Sequence, residues 1–240
     1  MVRPPTIWTL GQSTGGRPLE ATVFAPGQME APPPSTVEKL PFPWLLLLGG
    51  VHGDEIEGVW LIEAALENWK AAYPGESVGA VLWPRVNPDG VETKARWNAR
   101  QVDLNRNLPS KDWTAEVKNP RYPPGPSPAS EPENQALVRL ITEGKPTAIL
   151  SAHSFHKYQI NVNGPSHAWG ERLSRVCGYP VTHDIGYPTP GCLGTYAGKE
   201  LGIPTITLEI ERGLPREKVL SLHLDVISAS LDFWSKEEIR

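Results

Sequence analysis

Three residues of this chain have the types and the spacing of a metal site. His52 and Glu55 are separated by two residues in "VHGDEIEG", and His153 ends the later stretch "PTAILSAH". Two imidazole nitrogens and one carboxylate form the ligand set of a catalytic zinc ion that keeps a fourth position open for water. Taken alone, the His52–Glu55 pair favours another interpretation, in which Glu55 is a first-turn carboxylate of a helix and His52 an ordinary polar residue.

Three apolar stretches lead into these side chains and a further carboxylate. The runs "PWLLLLGG" (43–50), "PTAILSAH" (146–153) and "IPTITLEIE" (203–211) are typical of buried strands, and they lead to His52, His153 and Glu209. Ligands of parallel sheets bind beyond the carboxyl ends of the strands. The sequence therefore predicts that these polar strand ends meet at one edge of a sheet.

Helical patterns alternate with the strands. Apolar residues recur at helical spacing over 55–72, 130–144, 167–177, 193–201 and 215–234, whereas 18–25 and 79–90 are typical of further strands. Ser130 and Glu133 have the spacing of a capping box. This alternation predicts one domain over residues 1–240, a three-layer α/β sandwich whose mixed, mostly parallel sheet carries helices on both faces.

The segment "ARWNARQVDLNRNLP" (95–109) is rich in arginine and asparagine and has almost no apolar periodicity. Such a segment cannot be fixed by hydrophobic burial, so we expect hydrogen bonds to hold it. An arginine fork beside an asparagine amide is suited to binding a carboxylate at two points. Asp103 could orient a metal-bound imidazole through its second nitrogen.

Composition argues against two classes of partner. A net charge of −4 and a pI near 5.9 give no electrostatic attraction to nucleic acid or to an anionic membrane. The N-terminus lacks the apolar core of a signal peptide, and no apolar run reaches the ~20 residues that span a bilayer. We therefore expect a cytoplasmic protein, and the pattern demands no particular oligomeric state.

Four separated motifs resemble a known family. "HGDE", "DLNRN", "SAH" and "TLE" occur here in the order found in the zinc carboxypeptidases, also called funnelins. The wording of "NPDG", "NARQVDLNRN" and "GYPTPGCLGTYAG" most resembles the bacterial murein peptide amidase A branch. The resemblance implies the zinc carboxypeptidase fold and a zinc-dependent hydrolase of peptide amides.

The resemblance also implies roles for the metal and catalytic residues. One zinc ion per chain would be held by His52, Glu55 and His153. Glu209 would act as the general base that takes a proton from a zinc-bound water during attack on the amide. Glu211 shares the strand face of Glu209, and only the register of the motif favours Glu209. Arg100 would stabilise the developing oxyanion.

Further matches concern a small peptide substrate with a free C-terminal carboxylate. Asn105 and Arg106 match the pair that binds this carboxylate. Tyr187 matches the mobile tyrosine that closes over the substrate, although the loop here is shorter and proline-rich. Leu193 stands where the family selects the departing residue, and no acidic side chain is there to bind a basic one.

The function expected from this branch is hydrolysis of the γ-D-glutamyl–meso-diaminopimelate amide of murein peptides during cell-wall recycling. Alternatives are a carboxypeptidase for other short or γ-glutamyl peptides, and an acylamino-acid deacylase similar to aspartoacylase or succinylglutamate desuccinylase. A catalytically inactive module that binds cell-wall peptides is the alternative from another class. The presence of His52, Glu55, His153, Arg100 and Glu209 together favours an enzyme.

Overall fold

The fold is built on one mixed eight-stranded sheet. The computed structural model describes residues 4–30 and 40–236, and the strands follow the order β1-β2-β4-β3-β5-β8-β6-β7. Pairing is parallel through the centre, from β4 to β8, and antiparallel at β1·β2, β2·β4 and β6·β8. The strands are β1 Thr6–Gln12, β2 Pro18–Phe24, β3 Trp44–Gly49, β4 Gly79–Trp83, β5 Ala148–Phe155, β6 Gln159–Asn163, β7 Val181–Thr182 and β8 Thr205–Glu211.

Helices cover both faces of the sheet and complete the three layers. α1, α4 and α5 pack into one apolar core, and α3 packs into the other together with a π-helix. The helices are α1 Ile56–Ala71, α2 Pro88–Thr93, α3 Pro132–Thr142, α4 His167–Cys177 and α5 Arg216–Lys236, with a 3-10 helix at Leu104–Arg106 and the π-helix at Gly194–Glu200. The predicted α/β sandwich is confirmed.

Strand β3 shows why the apolar run lies at the centre. All six of its residues are buried. Leu45 and Leu47 point into the core beneath α1, whereas Leu46 and Leu48 point into the core beneath α3. A strand buried on both faces must be apolar at every position, not at alternate ones. Polar residues can follow only where this strand leaves the sheet, at its carboxyl end.

Two glycines let the end of β3 and the start of α1 lie close to neighbouring segments of the protein. Gly50 adopts a left-handed φ of 63°, where a Cβ would lie 2.9 Å from Val59 Cγ2. Gly58, in the first turn of α1, lies against the backbone carbonyl of Ala152 in β5, too close for any side chain. The close packing of α1 on β5 places Glu55, which precedes the helix, beside His153.

Some local predictions fail for identifiable reasons. Strands β1, β6 and β7 were not predicted. β7 has only two residues, and β6 carries polar residues on one face. The predicted capping box is wrong. Glu131 is the N-cap of α3 and makes no side-chain cap. Ser130 Oγ instead donates to Glu131 Oε1 at 2.7 Å, and Glu133 accepts from Asn98 at 3.2 Å.

Within the described residues, no helix combines the length and apolar character needed to cross a bilayer.

Candidate metal centre and active site

His52, Glu55 and His153 converge on one point at the carboxyl edge of the sheet. The Nδ1 atoms of the two histidines lie 3.1 Å apart. Glu55 Oε1 lies 3.0 Å from His52 Nδ1, and Glu55 Oε2 lies 2.8 Å from His153 Nδ1. All three side chains are buried. Within the described part of the chain these residues form a group able to share one metal ion.

The arrangement fits zinc on its own chemistry. Zinc commonly takes imidazole nitrogens and carboxylate oxygens as ligands, and three protein ligands leave a fourth position for water or substrate. His52 Nδ1 and His153 Nδ1 face each other at hydrogen-bond distance, although a neutral imidazole offers only one N–H. A cation bound between these nitrogens would let each lone pair act as a ligand.

Asp103 supports the metal site from behind. Its Oδ1 lies 3.0 Å from His52 Nε2, and its Oδ2 accepts from Arg96 Nε at 2.9 Å. Burial alone would raise the pKa of the Asp103 carboxyl, but His52 and Arg96 together hold it well below its ordinary value. Asp103 therefore stays ionised. With His52 Nε2 held in this way, Nδ1, the other ring nitrogen, faces Glu55 and His153.

Replacing Asp103 with Asn is expected to weaken zinc binding about 10- to 100-fold, because the amide carries no charge to orient and polarise His52. Competition with a chromogenic chelator measures the zinc affinity, and circular dichroism checks that the variant is folded. Asp232→Asn removes an exposed carboxylate on α5 and serves as the matched control. Equal zinc affinity in the Asp103 variant and the wild type would contradict a role in holding His52.

Arg96 joins the two halves of the site. Its Nη1 donates to Glu55 Oε1 at 3.1 Å. The same guanidinium therefore binds Glu55, a candidate ligand, and Asp103, the carboxylate behind His52. Burial alone would lower the pKa of Arg96, but the neighbouring carboxylates of Asp103 and Glu55 raise it. The side chain is 9% exposed and forms part of the cavity wall. Arg96 is therefore a fixed positive charge beside the metal ligands.

The oxyanion role predicted for Arg100 does not suit its position. The Arg100 side chain is 53% exposed, and its Nε lies 3.9 Å from Glu131, away from the cavity wall. Both arginines lie in the same non-periodic loop, where residue spacing does not reveal side-chain direction. The structure corrects the match by placing Arg96, not Arg100, in the cavity.

Glu209 lies across the strand pair from the metal site. It is the direct β8 neighbour of His153 on β5, and it is 5% exposed. Burial raises the pKa of the Glu209 carboxyl to about 7, with the negative charge of Glu55 adding to the effect and His153 opposing it. Its carboxylate accepts no hydrogen bond from any described residue. Glu211 is exposed and lies outside the cavity wall.

Asn105 and Arg106 also line the cavity. The backbone N–H of Leu193 donates to Asn105 Oδ1 at 2.9 Å, which leaves the amide nitrogen of Asn105 available. Arg106 Nη1 donates to the carbonyl of Asn105 at 2.6 Å, and Arg106 forms no ion pair with a described residue. The two side chains together offer several N–H donors to an anion in the cavity.

Hydrogen bonds fix the loop that presents these residues, as its composition predicts. Asn98 accepts from the backbone of Arg100 and Val102 at 3.0 and 3.1 Å, and donates to Glu131 at 2.8 Å. Asn107 Nδ2 donates to the carbonyls of Pro124 and Ser127 and to Ser130 Oγ. Asparagine amides therefore replace apolar packing as the support of the site.

Tyr187 lines the cavity and stacks on Tyr122. The two ring centroids are 6.1 Å apart with an interplanar angle of 16°. The other neighbours of the Tyr122 ring are two guanidinium groups, Arg96 Cζ at 4.9 Å and Arg106 Cζ at 5.0 Å from the centroid. Tyr187 is thus joined to Arg96 and Arg106 through one intervening ring, and Tyr122 is a cavity residue that the sequence did not reveal.

Leu193 does not occupy the predicted specificity position. Its side chain is buried at 4% exposure in the apolar core with Tyr196 and Ala197, and it is absent from the cavity wall. Its neighbours Cys192 and Gly194 line the cavity instead. The chain turns into a helix here, and successive side chains of a helical turn point in different directions, so that Leu193 faces the core while its neighbours face the cavity.

One cavity of about 840 Å³ brings the site together at the carboxyl edge of the sheet. Of the residues predicted from sequence, its wall includes His52, Glu55, Asn105, Arg106, His153, Tyr187 and Glu209. Asn161 and Asn163 also line it, and they belong to strand β6, which was not predicted. The alternation of polar and apolar residues in "QINVN" could have indicated this strand and its polar face.

Comparison with known proteins gives concordant matches. A model of the zinc carboxypeptidase family matches residues 5–174, which include all three metal-binding residues. Murein peptide amidase A of Vibrio campbellii is 30% identical over 238 residues, covering 94% of this chain and 87% of that protein. The Escherichia coli K12 murein peptide amidase A is 35% identical over 176 residues, covering 68% and 69%. The crystal structure of murein-tripeptide amidase from Escherichia coli O157 superposes with a TM-score of 0.73 at 28% identity, covering 95% and 92%.

Proposed function

Because this chain belongs to the zinc carboxypeptidase family, we propose that it is a murein peptide amidase. The reaction would be hydrolysis of the γ-D-glutamyl–meso-diaminopimelate amide, with release of the terminal diaminopimelate. The similarity to murein peptide amidases over most of the chain supports this substrate. One catalytic domain over residues 1–240 and a role in cytoplasmic recycling of cell-wall peptides belong to the same proposal.

The observation that carries the reaction type is the meeting of three metal ligands with a free, buried carboxylate in one cavity. His52, Glu55 and His153 would hold a zinc ion, and this ion would supply Lewis acidity and lower the pKa of a water molecule. Glu209 has no hydrogen-bond partner of its own among the described residues, so it can accept a proton from the attacking water. It can then deliver that proton to the departing amine nitrogen.

The remaining cavity residues have roles that follow from their charge. Arg96 is held rigidly by Asp103 and Glu55, and its guanidinium would stabilise the negative charge that develops on the amide oxygen. Arg106 and the Asn105 amide would bind the C-terminal carboxylate of the substrate in a two-point grip. Tyr187 would cover the bound peptide from the wall where it stacks on Tyr122.

A panel of substrates tests the proposal directly. The zinc-loaded protein is expected to release diaminopimelate from L-alanyl-γ-D-glutamyl-meso-diaminopimelate, and a chelator should abolish the release, because the zinc ion would activate the water and polarise the amide carbonyl. The panel also contains an α-linked peptide with a free C-terminal carboxylate, and an N-acylated amino acid. Mass spectrometry identifies the released residue.

Each other outcome of the panel identifies an alternative. Preferential cleavage of the α-linked peptide would make the protein an ordinary carboxypeptidase, and cleavage of the N-acylated amino acid alone would make it a deacylase. A protein that binds murein tripeptide without zinc and without turnover would be a binding module.

A further inference from the structure

The cavity has a polar wall that the reaction does not use. Strands β6 and β8 pair antiparallel, so that Asn161 lies opposite Thr207 and Asn163 opposite Thr205. On the other side of the Asn161–Thr207 pair lies Gln159 with Glu209, which places this row of side chains beside the carboxylate of Glu209. A buried face of a sheet is usually apolar. Here Asn161 and Asn163 are only 8% and 7% exposed, and both line the cavity.

The π-helix Gly194–Glu200 closes this wall from the other side. A Cβ on Gly194 would lie 2.7 Å from Asn163 Nδ2, and one on Gly198 would lie 2.6 Å from Asn163 Cβ. Two glycines four residues apart therefore let the helix lie directly on Asn163. Their successors in the chain, Thr195 and Lys199, both reach the cavity.

The charges on this wall are not balanced within the protein. Lys199 forms no ion pair with any residue in the described ranges, whereas the cavity residues Arg121 and Arg212 both bind Asp54. Asn163 Nδ2 donates to Asn161 Oδ1 at 2.7 Å, which leaves Asn163 Oδ1 as an acceptor. The wall therefore offers one unpaired cation next to neutral amide and hydroxyl oxygens.

We propose that Asn161, Asn163, Thr207 and Lys199 form a recognition wall for the side chain of the released residue. A side chain that ends in both an ammonium and a carboxylate group matches it. The ammonium would donate to the oxygens of Asn161, Asn163 and Thr207, and Lys199 would bind the carboxylate. This inference rests on the proposed function, because it assumes that the released residue occupies the cavity beside Glu209.

The recognition wall predicts a specific selectivity. L-alanyl-γ-D-glutamyl-meso-diaminopimelate and L-alanyl-γ-D-glutamyl-L-lysine differ only in the distal carboxylate of the terminal residue. The lysine peptide keeps the ammonium but leaves Lys199 unpaired and close to a like charge. Because Lys199 is exposed to solvent, we expect kcat/KM for the diaminopimelate peptide to be higher by about two- to fivefold, the ratio for one exposed ion pair.

Lys199→Met tests the inference. The variant is expected to lose about two- to fivefold in kcat/KM on the diaminopimelate peptide and little on the lysine peptide, so that the selectivity disappears. Lys199→Arg should keep most of the selectivity, because the cation remains. Lys157→Met removes an exposed lysine next to β6 that is outside the cavity wall, and it is the matched control.

Binding provides a second readout that does not depend on turnover. In a Glu209→Gln background, calorimetry should show weaker binding of the diaminopimelate peptide after Lys199→Met, with unchanged zinc content. Equal losses on both peptides would make Lys199 a structural residue, and unchanged selectivity would exclude its contact with the carboxylate. If the wild type cleaves neither γ-linked peptide, the proposed function itself fails, and the recognition wall fails with it.

Discussion

Glu209→Gln is expected to lower kcat by about 10³- to 10⁴-fold, because the amide cannot accept the proton of the attacking water. Zinc content should stay at the wild-type level, since Glu209 is not one of the three converging ligands. KM should change little, because the Glu209 carboxylate accepts no hydrogen bond from a described residue, so that substrate binding displaces none. Single-turnover kinetics with the murein tripeptide, together with metal analysis, would measure all three quantities.

Glu211→Gln is the control for this prediction. The residue lies two positions further along β8, is exposed and stays outside the cavity wall. Its activity is expected to remain within about twofold of the wild type, as for other exposed substitutions. Similar losses in both variants would show that the assignment of the base within "TLEIE" is wrong. Loss of zinc from the Glu209 variant would instead make this carboxylate a ligand.

Arg96→Lys is the second substitution for which we expect a large effect. A lysine keeps the positive charge between Asp103 and Glu55, so the metal ligands should remain in place. It cannot bridge both carboxylates and still direct an N–H into the cavity, as the guanidinium fork can. We expect kcat/KM to fall about 10²- to 10³-fold, the cost of losing one oxyanion donor.

Arg100→Lys is the matched control, because the same change is made four residues away in the same loop. Arg100 is 53% exposed, so we expect an effect of at most about twofold. The two variants are compared by kcat/KM on the murein tripeptide and by zinc content. A large loss in Arg100→Lys with little change in Arg96→Lys would restore the assignment based on motif resemblance and refute the one based on position.

The candidate metal centre could be predicted from the sequence because most of its residues lie at or just after the carboxyl ends of strands. Apolar runs locate β3, β5 and β8, and parallel pairing brings their carboxyl ends together. The positions of His153 and Glu209 therefore follow from strand register alone. The helical face that includes Val59 and Ile62 was equally readable from its periodicity. These predictions depend on backbone geometry, which repeats regularly along an element.

The predictions that failed concern side-chain direction where no period applies. Arg96 and Arg100 are four residues apart in a loop, and only the contact with Asp103 shows which one faces the cavity. Leu193 precedes the π-helix Gly194–Glu200, and the helix predicted over 193–201 did not show which of its side chains would face the cavity. Hydrogen bonds made by distant residues decide both cases, and such bonds leave no pattern in a single sequence.

The ring of Tyr122 has a consequence for the free energy of substrate binding. Arg106 rests on this ring and on the carbonyl of Asn105, not on a carboxylate of the protein. A cation–π contact is worth about 0.5–2 kcal/mol. Because no carboxylate of a described residue binds Arg106, an arriving carboxylate need not break a buried salt bridge to reach the guanidinium. The ring also restrains a flexible side chain before substrate arrives, which removes about 0.5–1.5 kcal/mol of ordering cost from binding. In the proposed complex, Tyr122 would thus keep Arg106 preorganised and unneutralised, so that affinity for the peptide would depend on an aromatic residue that need not touch it.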